Sequence, residues 1–391
     1  MACDPLYTAF SDGEFAKRNA AIRGRMEHAG LDTVVFYGKG STPDIHYLCN
    51  WLTTTESYFI YPRTGEPTLF VQLSNHLPNA QRMALIDDVR FGGSSPTGSV
   101  DSVPRVVENL KERGVVRGRV GLCGSLPYQH YLRLVETLPA IEWVDFGGAM
   151  RAERQIKSDE EIARMRIAAK MSDDSVAALA AQARPGIPEH ELAKIVEDVY
   201  LGKGGVNGIH FMITTSMHDP TGGVPQQHLS NRVLQKGDVL VTEISANYCG
   251  YTGQILRTFT IGAEPTPEFK KLHDTAMEAF DRIEAVIKEG TSAEEVLEAA
   301  NVVHDRGFTV FDDVVHGANQ MPPILRTKET SRGTPKDFRF KTNMCLVIQP
   351  NVVTDDGRMG VQFGEMLRVT DKGLDRLHDY PRELIVCGNT G

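Results

Sequence analysis

The chain has 391 residues, 41% hydrophobic and 24% charged, which is ordinary globular composition with room for two domains, or three. Its net charge of -9 offers no basic face and argues against nucleic acid as a partner. No apolar run approaches the ~20 residues that would span a bilayer, and the N-terminus has neither a basic n-region nor an apolar h-region, so no membrane span or signal peptide is expected. The six cysteines (Cys3, Cys49, Cys123, Cys249, Cys345, Cys387) are scattered without CxxC spacing and read as reduced thiols of a cytoplasmic protein.

In chain order, Phe15–Ala29 reads as a helix ended by Gly30, and Thr33–Tyr37 as a buried strand. Tyr58–Tyr61 and Thr68–Val71 flank Arg63-Thr64-Gly65-Glu66-Pro67, which is turn chemistry, so a hairpin is expected. A helix over Val106–Arg113 precedes a strand at Val120–Cys123, and this interleaving indicates an α/β domain over residues 1–152. The pattern changes near Arg151. Ser158 with Glu161 forms a capping box opening a helix that Pro185-Gly186 stops, and Leu192, Ile195, Val196 and Val199 have helical spacing. The order then recurs: Phe269, Leu272, Ala276, Phe280, Ile283 and Ile287 form a helical stripe, and Ser292 with Glu295 makes a second capping box. Residues 153–391 thus read as an α+β domain with two copies of a helix-helix-strand unit.

Two hairpins close this domain. Gly237–Gly262 turns at Asn247–Gly250, which would set Glu243 opposite Gln254 with Cβ atoms about 5 Å apart. Cys345–Thr370 turns at Asp355–Gly357, which would set Gln349 opposite Gly364. Between them, His316-Gly317 pairs an imidazole with a residue that lets backbone pass close. Met212, Met217, Met321 and Met366 read as packing, and His210 and His218 as structural.

At these residues a resemblance becomes specific. Lys236-Gly237-Asp238-Val239, Gly250-Tyr251, Arg257-Thr258-Phe259, Ile156–Ile162 and Pro185–Glu189 resemble the creatinase / aminopeptidase P / prolidase superfamily (peptidase family M24) over nearly the whole chain. The resemblance implies a creatinase-type N-terminal domain, a pita-bread C-terminal domain with its site between the hairpins, and a homodimer in which the N-terminal domain closes part of the partner's site.

The resemblance also implies departures. Metallopeptidase members hold two divalent ions with two Asp, one His and two Glu; the matching positions here are Glu243, Gln254, His316, Gln349 and Gly364. Neutral amides are poor ligands for such ions and glycine supplies none, so no metal cofactor is expected. If Glu365 shifts in, it would join Glu243 and His316 around one ion. A second family histidine after the His-Gly pair is replaced by Gln320–Pro323. Creatinases share the fold without metal and use a histidine upstream of the Lys-Gly-Asp strand, for which His228 is the matching candidate. Leu256 replaces the carboxylate that creatinases place before Arg-Thr, which argues against creatine.

The expected function is therefore metal-independent hydrolysis of an amide- or amidine-type C–N bond in a small polar molecule. His228 would be the acid/base, since imidazole titrates near neutral pH. His316, Glu365 and Glu243 would be catalytic-site polar groups. Gln254 and Gln349 would donate hydrogen bonds to a developing oxyanion, and Arg257 would bind substrate. Arg326, Arg332 and Arg368 are further candidates to clamp a carboxylate. The competing readings are an Xaa-Pro metallopeptidase with an atypical metal site, a metal-free lyase or isomerase, and a non-catalytic binding protein. His228 as an exposed loop residue and His316 as a strand cap are the plain structural readings beside these roles.

Overall fold

A computed structural model describes residues 8–40, 42–93, 101–333 and 335–388. The chain divides into two compact units, 1–154 and 155–391. Cys3 and the extreme N-terminus lie outside the described residues. The other five cysteines are free and buried. Among the described residues no helix is long and apolar enough to cross a membrane.

The first unit runs α1 (Asp12–His28), β1 (Thr33–Gly38), α2 (Pro43–Cys49), β2 (Ser57–Pro62), β3 (Thr68–Gln72), α3 (Leu77–Met83), β4 (Val89–Gly93), α4 (Val103–Glu112), β5 (Gly118–Cys123), α5 (Tyr128–Thr137), β6 (Ile141–Asp145) and α6 (Gly147–Arg154). The six strands form one sheet in the order β4-β3-β2-β1-β5-β6. Every residue of β1 and β2 is buried because the sheet is covered on both faces. Val34, Phe36, Phe59 and Tyr61 pack with Ile22, Ile45 and Met150, whereas Val35, Tyr58 and Ile60 pack with Val106, Leu110 and Leu134. The expected hairpin is β2–β3, with Tyr58 facing Phe70.

The second unit opens with α7 (Asp159–Gln182) and α8 (Glu191–Asp198), followed by β7 (Gly205–Ser216), β8 (Asp238–Tyr248) and β9 (Tyr251–Ile261). Then come α9 (Pro267–Val286), α10 (Ala293–Ala300), α11 (Val302–Asp305), β10 (Thr309–Val310), β11 (Val315–Gly317), β12 (Met321–Leu325), β13 (Cys345–Ile348), β14 (Asn351–Val353), β15 (Gly360–Gln362), β16 (Gly364–Val369), β17 (Leu374–Arg376) and β18 (Ile385–Cys387). Both capping boxes form: Ser158 and Glu161 exchange side-chain-to-backbone bonds at the start of α7, as do Ser292 and Glu295 at α10. The main sheet runs β12-β11-β13-β16-β9-β8-β7. One core joins residues of α7 and α8 to β7, β8 and β9; the other joins residues of α9 and α10 to β13 and β16. The second core also takes in Ile213, Val239 and Val241, so alternate residues of β7 and β8 serve both helix pairs.

The first hairpin differs in register from the expectation. Tyr248 pairs with Tyr251 across a two-residue turn, with Cys249 and Gly250 both at positive φ (51° and 86°). That tight geometry suits the twist of antiparallel strands. Glu243 therefore lies opposite Leu256, and Ser245 opposite Gln254. The displacement is even, so Glu243 and Gln254 keep the same face as diagonal neighbours. The second hairpin has the expected register, with Ile348 opposite Glu365 and Asn351 opposite Gln362.

Candidate functional site

Strand alternation makes the site. Along β8 and β9, Ile244, Ala246 and Ile255 join the core that includes α7 residues Met171, Val176 and Leu179. Glu243, Ser245 and Gln254 take the opposite face by the period of two. There a cavity of about 210 Å³ is walled by Glu243, Asp312, Asp313, His316, Gln320, Gln349 and Gln362, with Phe211, Val224, Pro225 and Gln227 completing it.

A chain of side chains crosses its floor. Gln254 Nε2 donates to Glu243 Oε1 (2.8 Å) and to Gln349 Oε1 (3.0 Å). His316 Nε2 lies 3.1 Å from Gln349 Oε1, and Nδ1 donates to the Gly317 carbonyl at 2.8 Å. Gln349 Nε2 reaches the Asp313 carbonyl and carboxylate at 3.4 Å each. Gln254, Gln349 and His316 are 4%, 2% and 3% exposed, so their amides and imidazole are held by one another, not by solvent.

Burial and the negative charge of Asp312 push the Glu243 carboxyl up to about 7, against a side-chain hydrogen bond from Gln362 that favours the anion. Asp313 is held well above the ordinary carboxylate range by burial, by its hydrogen bond and charge contact with Asp312, and by the charge of Glu243. Burial lowers the affinity of His316 for a second proton. A carboxyl that titrates near neutrality inside a cavity has the property required of a general acid or base.

The structure brings Glu243, Gln254, His316 and Gln349 together and places the other expected site residues elsewhere. Glu365 and Arg257 lie on the opposite face, because neighbouring residues on a strand point to opposite sides. Glu365 is fully buried and accepts hydrogen bonds from Arg257, Arg376 and Arg382. Burial alone would raise its carboxyl, but the hydrogen bond from Arg376 and the charges of Arg257 and Arg382 bring it down to about 2. Arg257 is likewise sealed, donating to Glu365 and to the carbonyls of Gly364 (2.8 Å) and Leu256 (2.9 Å), so its guanidinium has no substrate face. Gly364 does face Gln349: a Cβ there would stand 2.8 Å from Gln349 Cα and 2.2 Å from the Ile348 carbonyl, so the position has no space for a side chain. His228 is exposed and does not line the cavity, although Gln227 beside it does. None of Arg326, Arg332 and Arg368 lines it either. Among the described residues, no group of three or more His, Cys, Asp or Glu side chains is placed to hold a metal ion.

Sequence reasoning missed Asp312, Asp313, Gln320 and Gln362. Two signals were present. The Asp312-Asp313 doublet stands directly before the strand that carries His316, and Gln362 precedes Gly364 by two residues in the returning arm of the second hairpin.

Comparison with known proteins gives the wider setting. Residues 163–371 match the model of metallopeptidase family M24, and residues 18–156 match the creatinase/prolidase N-terminal domain. An uncharacterised hydrolase/peptidase of Sinorhizobium fredii is 26% identical over 392 residues, covering 96% of this chain and 97% of its own. The Xaa-Pro dipeptidase of Pyrococcus horikoshii is 23% identical, covering 92% and 96%. Among solved structures, an X-Pro aminopeptidase from Thermotoga maritima superposes with a TM-score of 0.81 at 18% identity, covering 94% of this chain and 99% of that one. The prolidase of Pyrococcus horikoshii gives 0.77 at 22% identity, covering 94% and 100%. These structures share the two-domain fold of a creatinase N-terminal domain and a pita-bread domain.

Proposed function

The chain belongs to metallopeptidase family M24, and from that premise we propose that it hydrolyses an amide-type C–N bond in a small molecule held in the cavity between the hairpins. The observation that carries this reading is Glu243, a carboxyl on the cavity wall that titrates near 7. In its ionised form it accepts a proton from attacking water; once protonated, it can return that proton to the departing nitrogen. Gln254 orients it by donating to Oε1, and Gln349 Oε1 accepts the second N–H of that amide. The role first expected of His228 passes to Glu243, because His228 is exposed and off the cavity wall.

The donor chemistry does not fit a two-metal centre. Of the five family positions, two are amides that hydrogen-bond each other, Gln254 turns its Nε2 and not an oxygen toward Glu243 and Gln349, and Gly364 has no side chain. Parity keeps Glu365 from replacing it. We therefore route no step through a metal ion.

A second reading, cleavage of an Xaa-Pro dipeptide, is favoured by the names of the relatives, which include dipeptidases and an aminopeptidase. One experiment separates the two. Hydrolysis of small amides, amidines and Ala-Pro is followed in chelator and then with added Mn²⁺. Turnover of a small amide in chelator, reduced about 100-fold or more by Glu243→Gln and spared by His228→Ala, is the expected result. Cleavage of Ala-Pro alone, and only with Mn²⁺, would install the second reading. Full activity of Glu243→Gln would overturn the assignment of the carboxyl.

A further inference from the structure

We propose that the ligand of this cavity bears a cationic head rich in N–H donors, an amidinium or ammonium group, seated among Glu243, Asp312, Asp313 and the side-chain oxygen of Gln362. The inference rests on the reading of this cavity as the hydrolytic site and names the chemistry of its substrate.

Charge is the first observation. Three carboxyl groups line the cavity, and among the described residues no Lys or Arg lines it. Glu243, Asp312 and Asp313 share this cavity with no such basic side chain on its wall to act as counter-ion. A cation between them fills that role, and an anionic ligand would not. An inorganic cation needs several donors converging on one point at short range. The described residues present no such convergent group, so the negative charge is spread over a surface that suits a larger organic cation.

Gln362 is the second, independent observation. It is 1% exposed, it lines the cavity, and its Oε1 is buried without a hydrogen-bond partner. Its amide is engaged with Glu243. A buried acceptor left without a donor costs about 1–3 kcal/mol, and buried side-chain oxygens are nearly always satisfied. Gln362 lines the space a ligand would fill, and an N–H brought there by the ligand would supply the missing donor. An amidinium, with four N–H groups in one plane, can serve an amide oxygen and neighbouring carboxylates together. The cavity volume of about 210 Å³ lies below the range of drug-sized pockets, so the molecule is small.

The test uses the full chain and a nearly isosteric pair of probes, butyramidine (cationic) and butyramide (neutral), in calorimetric titrations at pH 8 and low salt. Butyramidine should bind at least about tenfold more tightly than butyramide. Asp312→Asn should weaken butyramidine by about tenfold and so narrow its lead over butyramide, and Gln362→Leu should weaken butyramidine by about tenfold, with circular dichroism confirming that both variants fold. Equal affinity for the two probes, or no binding of butyramidine at millimolar concentration, overturns the inference. So does saturable binding of Mn²⁺ alone that Asp312→Asn abolishes, since the charge would then serve an inorganic ion. The outcomes also separate this inference from the proposed function. Turnover of neutral amides without preference for the cation leaves hydrolysis standing and removes the cationic head; tight butyramidine binding with no turnover of any amide does the reverse.

Discussion

Replacing Glu243 by glutamine should make the protein more stable at alkaline pH while removing its activity. The Glu243 carboxyl moves from 4.5 in the unfolded chain to about 7 in the fold, chiefly through burial. At about 1.4 kcal/mol for each tenfold change in proton affinity, that is roughly 3 kcal/mol. The sign follows from where the proton sits. Between pH 4.5 and about 7 the folded form keeps a proton that the unfolded chain releases, so stability falls as pH rises through this window and levels off above it. Glutamine cannot ionise, yet it retains an oxygen to accept the 2.8 Å bond from Gln254. The stability difference between Glu243→Gln and the parent should therefore be near zero below pH 4.5 and reach roughly 3 kcal/mol at pH 8. For a unit of this size that corresponds to roughly 6–12 °C in Tm. Urea and thermal unfolding of both proteins at half-unit steps from pH 4.5 to 8.5 measure it directly. Parallel curves, or a variant less stable than the parent at pH 8, would refute the claim that burial holds this carboxyl protonated. A group whose removal stabilises the fold and stops the reaction is one kept for chemistry.

The remaining predictions concern the frame around the site. Glu365→Gln should cost about 3–5 kcal/mol in urea unfolding near neutral pH, because it leaves Arg257 buried without its counter-ion. Since the Glu365 carboxyl is held at about 2, below its ordinary 4.5, this contribution is present above pH 4.5 and lost as pH falls toward 2, so the gap between variant and parent should narrow in acid. Gly364→Ala should destabilise by about 1–3 kcal/mol and raise KM, because its Cβ would press on the backbone of Ile348 and Gln349, moving a cavity residue; an unchanged Tm would show that this close approach relaxes freely. Ser158→Ala removes the capping box of α7 and should cost about 1 kcal/mol with kcat unchanged.

Several features are legible in the amino-acid sequence alone, and they share a physical basis. The two capping boxes, the hairpins and the helical stripes are written in residues a few positions apart, so short-range hydrogen bonding and periodicity reveal them. The family resemblance leads to Glu243, Gln254, His316 and Gln349, which the fold brings together. The register of the first hairpin is not legible, because it depends on whether the turn closes at Tyr248-Cys249 or at Cys249-Gly250, and only the backbone conformation of the tight turn decides that. Glu365 and Arg257 are misplaced by sequence reasoning for a related reason. On a sheet covered on both sides, buried polar residues of either parity look alike in sequence, and only the tertiary pairing shows that these two satisfy each other on the face away from the cavity.

What the sequence by itself determined is the architecture and part of the chemical inventory: two domains, recurring helix pairs with their capping boxes, and the carboxyl and amides that the two hairpins carry. Only the tertiary structure decided which of those groups work together. It drew in Asp312, Asp313 and Gln362, set His228 and Glu365 aside, and excluded enough water around Glu243 to move its carboxyl to about 7. Desolvation and the mutual repulsion of distant carboxylates exist only once the chain has brought them into one cavity, so no local pattern of residues can encode them.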